Sequence, residues 1–335
     1  MGRTKFFWHL TALAVVAVWG VTFVCTKVLI ASGLRPAEIF AIRFALAYIG
    51  IWLLSVFASP ASPSSSVSSF AGSDRRISRL LSRSWQDELM FVFLGITGGS
   101  FYFLTENTAL AYTQASNTSF LVCSAPLITA LLSLLYRRVR RDRFSEAMED
   151  IRLGFPLIGG TLLAFGGMAL MLFDGARVQV SLRGDLLALG AALCWALYSL
   201  FMGKMTSEYG GVFATRKVFA YGLLTIIPFL FGREEPLPAA TFARPEVWGN
   251  LLFLGLGASL ACFVAWNLVM SRLGNITSTN YVYLNPVFTL ISAMVFLGER
   301  LTPAGAVGSV LILGGVILAG QRFERRRRDL FRPLV

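Results

Sequence analysis

Ten long apolar stretches, separated by shorter polar ones, set the pattern of this 335-residue chain. They fall at about 8–30, 37–57, 89–109, 115–135, 154–173, 185–203, 212–231, 248–269, 276–297 and 303–320. Each is close to the roughly 20 residues an α-helix needs to cross about 30 Å of hydrocarbon. All are far longer than a barrel strand and none alternates strictly, so the pattern predicts an all-α polytopic membrane protein with ten transmembrane helices.

The blocks also repeat. LGITGGSFYFLTENTALAYTQASNTSFLVCSAP, ending at Pro126, aligns without a gap on LGLGASLACFVAWNLVMSRLGNITSTNYVYLNP, ending at Pro286. At a constant spacing of 160 residues, Gly95 falls on Gly255, Asn107 on Asn267 and Pro126 on Pro286. Two halves of five helices each are therefore expected, over residues 1–173 and 174–320, followed by a basic tail over 321–335. Because five is odd, the second half must run inverted in the bilayer. Inverted halves can exchange conformations around a central site, the recipe for alternating access.

Basic residues support that layout. Loops on one side, with both termini, carry 20 Lys and Arg, and loops on the other carry 6. Basic loops stay cytoplasmic, so both termini are expected inside. The connection over 58–87 opens with a Ser/Pro-rich run, Ser59–Ser69, and reads as a flexible cytoplasmic loop.

Composition narrows the class. Hydrophobic residues make up 56% and charged ones 14%, with mean hydropathy +0.67, too little polar surface for a soluble body of this size. The net charge of +12 follows the topology signal and implies no nucleic-acid partner; membrane lipids are the expected surroundings. Cys25, Cys123, Cys194 and Cys262 lie inside apolar runs, and His9 is the only histidine. No metal pattern, phosphate-binding loop or convergent catalytic group is present, so no cofactor, metal or enzymatic activity is predicted.

Polar groups inside the apolar blocks need a reason, because unpaired burial costs several kcal/mol. Lys27, Arg43 and Glu106 sit at similar depths in the first half and are expected to cluster, with Glu106 neutralising one base and leaving a net positive region for a carboxylate. A structural ion pair, or snorkelling of the two bases, is the alternative. Glu106 is also a candidate proton carrier. Asn107 and Asn267, matched by the repeat, are candidates to bond either substrate or a neighbouring helix. Trp19 and Trp195 fall near mid-helix, away from the usual interfacial belts. With Tyr102, Tyr198, Trp266 and Tyr281 they form a candidate wall for a mid-sized, partly apolar organic substrate. Pro126 and Pro286 each remove a backbone hydrogen bond and are candidate hinges. Gly160/Ala164 and Gly315/Ala319, at four-residue spacing, predict close-packing faces on the fifth and tenth helices.

In order along the chain, VWG around Trp19, LRPAEIFAIRF at Leu34–Phe44, the run from Glu106 to Leu132, and STNYVYLNPVFTLISAMVFLGERLTPAGAVGSVLILGGV resemble the EamA-like, ten-helix branch of the drug/metabolite transporter superfamily. The resemblance covers nearly all of residues 8–320. It implies a bacterial inner-membrane carrier whose first, third, fourth, sixth, eighth and ninth helices line a central cavity. Trp19, Asn107, Trp195 and Asn267 become cavity candidates by matching position, and Glu299 and Arg300 match a loop signature with the look of a gate or clasp. The chain departs from the pattern twice: Val139 and Arg140 stand where the first half would repeat Glu299–Arg300, and acidic Glu106 replaces a more usual aromatic residue.

Together these readings predict a secondary transporter of small organic metabolites, with export of amino acids or related compounds as the leading substrate class. A multidrug or lipid-like translocator is the first alternative, and a non-transporting receptor or enzyme the second. Proton coupling and facilitated diffusion are both open, as are monomer and homodimer.

Overall fold

The computed structural model describes residues 3–57, 81–139, 155–173, 181–231, 238–273, 281–300 and 302–330. Among them the regular elements are all helical. In chain order they are α1 (Arg3–Ala31), α2 (Pro36–Phe57), α3 (Trp85–Tyr112), α4 (Ala115–Val122 and Ala125–Val139), α5 (Phe155–Phe173) and α6 (Leu182–Tyr209). Then follow α7 (Gly211–Leu230), a single turn Ala239–Phe242, α8 (Pro245–Leu252 continuing through Phe253–Ala261 to Cys262–Leu273), α9 (Asn285–Leu297) and α10 (Pro303–Leu330). Each of the ten apolar stretches overlaps one of these ten labelled helices. Seven described spans are long and apolar enough to cross a membrane, and three apolar helices, Ile158–Gly167, Asn285–Leu297 and Pro303–Gly315, are shorter.

Local chemistry sets the ends. Ser84 caps α3, its hydroxyl accepting from the Asp87 N–H at 3.2 Å. That cap starts α3 at Trp85, so the expected loop over 58–87 stops short of its predicted end; residues 58–80 lie outside the described residues. At the other extreme α10 carries part of the basic tail in helical form as far as Leu330. Exposed aliphatic side chains such as Leu162 on α5 and Val310 on α10 suit contact with lipid.

The 160-residue spacing reappears in backbone geometry. Helices begin at Trp85 and Pro245, and each then passes through a π-helical stretch, Ile96–Ser100 in α3 and Phe253–Ala261 in α8. Turns at 123–124 and 283–284 are followed by helix restarts at Ala125 and Asn285. Pro126 and Pro286 therefore sit in the first turn of a new helical piece, where a missing N–H leaves no hydrogen bond unmade. The break precedes each proline instead of following from it. The Pro126 ring itself lies outside the described side chains.

Packing has the same two-part logic. α6 lies on α3 and α4, and α1 lies on α8 and α9; α7 lies on α3, and α2 on α8. Gly95 meets Tyr221 of α7, and its counterpart Gly255 meets Leu46 of α2. α5 and α10 pack on each other. A Cβ on Gly315 would lie 2.4 Å from the Gly160 carbonyl oxygen and 2.6 Å from the Ala164 nitrogen, both backbone atoms that cannot rotate away. Gly315→Ala is accordingly expected to destabilise the protein by about 1–3 kcal/mol. A lower midpoint of thermal unfolding in detergent checks this, and an unchanged midpoint contradicts the packing argument.

Candidate functional site

The π-helical stretch of α8 brings backbone and side-chain groups to the middle of the bundle. The Trp19 indole Nε1 donates to the Ala258 carbonyl at 3.1 Å, and the Trp19 and Trp266 ring centroids are 5.1 Å apart. On the next residue, Ser259 Oγ accepts from Arg43 Nε at 2.6 Å. The π-helical stretch of α3 is met in the same manner by α6. Tyr198 lies so close to Gly98 that a Cβ there would be 2.2 Å from the ring. Extra turn width of this kind recurs at functional sites.

From Arg43 the contacts continue across to α3 and α6. Its guanidinium carbon lies 4.9 Å from the Phe103 ring centroid, a cation–π contact. Phe103 touches Tyr102 edge-on at 4.7 Å, Tyr102 meets Trp195 at 5.1 Å, and Trp195 meets Tyr198 at 5.1 Å. Glu106, one turn beyond Tyr102, accepts that phenol's hydrogen bond at 2.8 Å. Trp19, Arg43, Tyr102, Glu106, Trp195, Tyr198 and Trp266 thus belong to one unbroken chain of contacts drawn from five helices and both halves. Arg43, Glu106 and Trp266 are buried, while Trp195 is 38% exposed.

The other sequence-predicted residues lie elsewhere. Lys27 does not join Arg43 and Glu106. It is eight residues beyond Trp19, about 12 Å along α1, and its Nζ donates to Glu299 Oε1 and the Thr113 carbonyl, each at 3.1 Å. Glu299 also accepts from the Ala115 N–H at 2.7 Å, the Ser116 N–H at 3.2 Å and the Ser116 hydroxyl at 2.7 Å. It therefore clasps the start of α4 to the ends of α1 and α9, with exposed Arg300 beside it. Asn107 donates from Nδ2 to the Pro36 carbonyl at 3.2 Å, tying α3 to the start of α2. Tyr281 pairs with His9 Nδ1 at 2.7 Å near the start of α1, at the opposite end of the bundle from Lys27. The Asn267 side chain lies outside the described residues.

Two acidic centres, at Glu88 and at Asp185, were not singled out from the sequence. Near the Tyr281 end, Glu88 of α3 accepts from Lys217 and Tyr221 of α7 and from the Ser82 N–H and hydroxyl, while the neighbouring Asp87 accepts from Tyr209 at 2.9 Å. Near the Glu299 clasp, Asp185 at the start of α6 accepts from Asn117 Nδ2 at 2.5 Å. Arg216 and Lys217, two charges inside the apolar stretch 212–231, were the available signal for the first of these. Among the described residues no group of His, Cys, Asp or Glu could hold a metal ion. The centre sets the buried Arg43 and Glu106 among aromatic rings.

The model of the EamA-like transporter family matches residues 6–173 and 182–321. A probable terminal-alkyne amino-acid exporter of Streptantibioticus cattleyicolor is 27% identical over 74% of this chain and 78% of its own. A probable amino-acid metabolite efflux pump of Escherichia coli K12 is 28% identical over 50% of this chain and 58% of its own. One solved crystal structure, 18% identical, superposes with a TM-score of 0.58 over 93% of this chain and 97% of that one, which speaks for the fold alone. As expected from the sequence, the protein is a multi-pass membrane transporter and not an enzyme: with both matched stretches together spanning most of its length, the chain belongs to the EamA-like transporter family.

Proposed function

We propose that the protein is a secondary carrier that exports amino acids or closely related metabolites across a bacterial inner membrane by alternating access. The observation that carries this reading is the central chain of rings from Trp266 through Trp19, and from Phe103 through Tyr102 and Trp195 to Tyr198, with Arg43 between them. Aromatic walls suit an organic side chain better than a bare ion. The names of the two exporter relatives favour amino acids over drugs or lipids. In this reading all ten helices span the bilayer, the halves are inverted, and both termini face the cytoplasm. The helix breaks before Pro126 and Pro286 act as hinges, and the Glu299 clasp, with Arg300 beside it, acts as a gate.

Counterflow in liposomes tests it. Wild-type protein is expected to exchange at least one amino acid saturably. Trp19→Ala and Trp195→Ala, shown to be folded by size-exclusion chromatography, are each expected to slow that exchange about tenfold or more, the usual loss when an aromatic ring that contacts the ligand is truncated. Exchange confined to apolar drugs or lipid analogues would transfer the assignment to the multidrug reading. Repeating the assay with an imposed pH gradient decides proton coupling; Glu106→Gln is the variant expected to lose any such dependence.

A further inference from the structure

Arg43 and Glu106 are both about 7% exposed and lie at the middle of the ring chain. Each lies within electrostatic range of the other, yet they form no ion pair within 4 Å. A guanidinium carries five N–H donors. Arg43 uses one, on Ser259, and no described acceptor meets either Nη atom. Glu106 receives one hydrogen bond, from Tyr102 on Oε1, and no described donor meets Oε2. Two buried opposite charges that served only to hold helices together would be expected to close on each other, yet among the described residues no atom of Arg43 or Glu106 is both fully enclosed and without a partner, so their outer atoms keep open space beside them. Here they stand on α2 and α3, Arg43 over the Phe103 ring and Glu106 on the Tyr102 hydroxyl, with no described partner on their outer atoms.

Among the described residues that face Arg43, Glu106 is the one with a full charge. From α1 and α8 the groups that face Arg43 electrically are the thiols of Cys25 and Cys262, and from α3 they are Tyr102 and Glu106. Lys27, which would have made the region net positive, is engaged by Glu299 instead. One base and one acid held apart make a site that is neutral overall and dipolar locally.

We propose that Arg43 and Glu106 are the two poles of a zwitterion receptor, Arg43 taking the carboxylate of an α-amino acid and Glu106 its ammonium group. The inference rests on the transport reading above and adds the residues that set specificity within it. An acid without the amino group would leave Glu106 buried and unpaired, and an amine without the carboxylate would leave Arg43 so. Selectivity then comes from stranding a charge on the wrong ligand.

The test uses purified full-length protein in detergent. All twenty amino acids are screened by thermal shift, and the tightest binder is titrated calorimetrically beside its deaminated acid and its amide. Wild-type protein is expected to bind the amino acid at least about tenfold more tightly than either analogue, the ratio one charge-assisted hydrogen bond supplies. Glu106→Gln is expected to erase the preference over the deaminated acid and keep that over the amide. Arg43→Gln is expected to do the reverse. Should Arg43→Gln not fold, the Glu106→Gln ratio alone decides. Equal weakening of all three ligands by the two charge variants would make the pair structural and overturn the proposal. So would a deaminated acid bound as well as its amino acid by wild type. Binding of no amino acid also overturns it, and the counterflow assay with other solutes then shows separately whether the transport reading survives.

Discussion

Glu88→Ala is expected to lower stability by about 3–5 kcal/mol, the loss typical of removing one partner from a buried ion pair. The carboxylate is 7% exposed and Lys217 is 6% exposed. Glu88 gathers Lys217 and Tyr221 from α7 and Ser82 from the segment leading into α3. Alanine would leave an ammonium group without its counter-ion and the Ser82 N–H without its acceptor. The cost comes mainly from those stranded groups, because an intact buried pair adds little net stability against well-packed apolar residues. It follows that Glu88→Leu combined with Lys217→Met should recover much of what either single change loses, a non-additivity that a double-mutant cycle reads directly. Thermal unfolding in detergent followed by circular dichroism is the measurement. A loss below about 1 kcal/mol for Glu88→Ala would show the pair to be solvated and the argument wrong.

Why the sequence did not point to Glu88 is instructive. It lies one residue before the apolar stretch at 89–109, where a carboxylate reads as a loop residue beside the headgroups. Its partner was visible as a charge within 212–231, but nothing in a linear pattern says which helix supplies the counter-ion. Lys27 shows the same limit. Equal depth in the first half suggested Glu106, whereas the chain folds so that the loop after α9 brings Glu299 to it, 272 residues away. Apolar blocks report position along the membrane normal and nothing about neighbours around the bundle. Where a pattern was encoded locally it was easier to read: the spacing of Gly160/Ala164 and Gly315/Ala319 marked close-packing faces, and those glycines meet between α5 and α10, whereas Pro126 and Pro286, read as breaks within a helix, stand in the first turn after one. The π-helical stretches escaped notice because one extra residue in a turn leaves an apolar block apolar. They nonetheless help to present Ala258 and Ser259 to Trp19 and Arg43.

Glu299→Ala should release the end of the bundle at which α1 finishes. Gly298, with φ +64°, turns the chain out of α9 and delivers Glu299 to its partners; a left-handed residue here favours glycine over any side chain with a Cβ. The Glu299 carboxylate then meets two backbone N–H groups at the start of α4, where the helix dipole favours negative charge. Lys27 and the Ser116 hydroxyl complete its shell. Four groups on two helices, the Lys27 ammonium, two amides and one hydroxyl, depend on one side chain. The opposite half holds Val139 at the matching place, 79% exposed, and cannot form the same clasp. The other end is held by the different Glu88–Lys217 pair, and in the proposed carrier these two latches make gates of unequal strength. Loss of about 3 kcal/mol at the latch would shift an open–closed equilibrium roughly a hundredfold. Cys25 reports on it, since it is 8% exposed and lies in α1 between Trp19 and Lys27. In a background with Cys123, Cys194 and Cys262 replaced by alanine, Glu299→Ala should make Cys25 react with a water-soluble maleimide at least about tenfold faster, with Glu299→Gln intermediate because it keeps some of the hydrogen bonds and loses the ion pair. Faster labelling without a lower unfolding temperature marks a gate. A lower unfolding temperature with unchanged labelling would make Glu299 a structural clasp, and the unequal-gate account would fall.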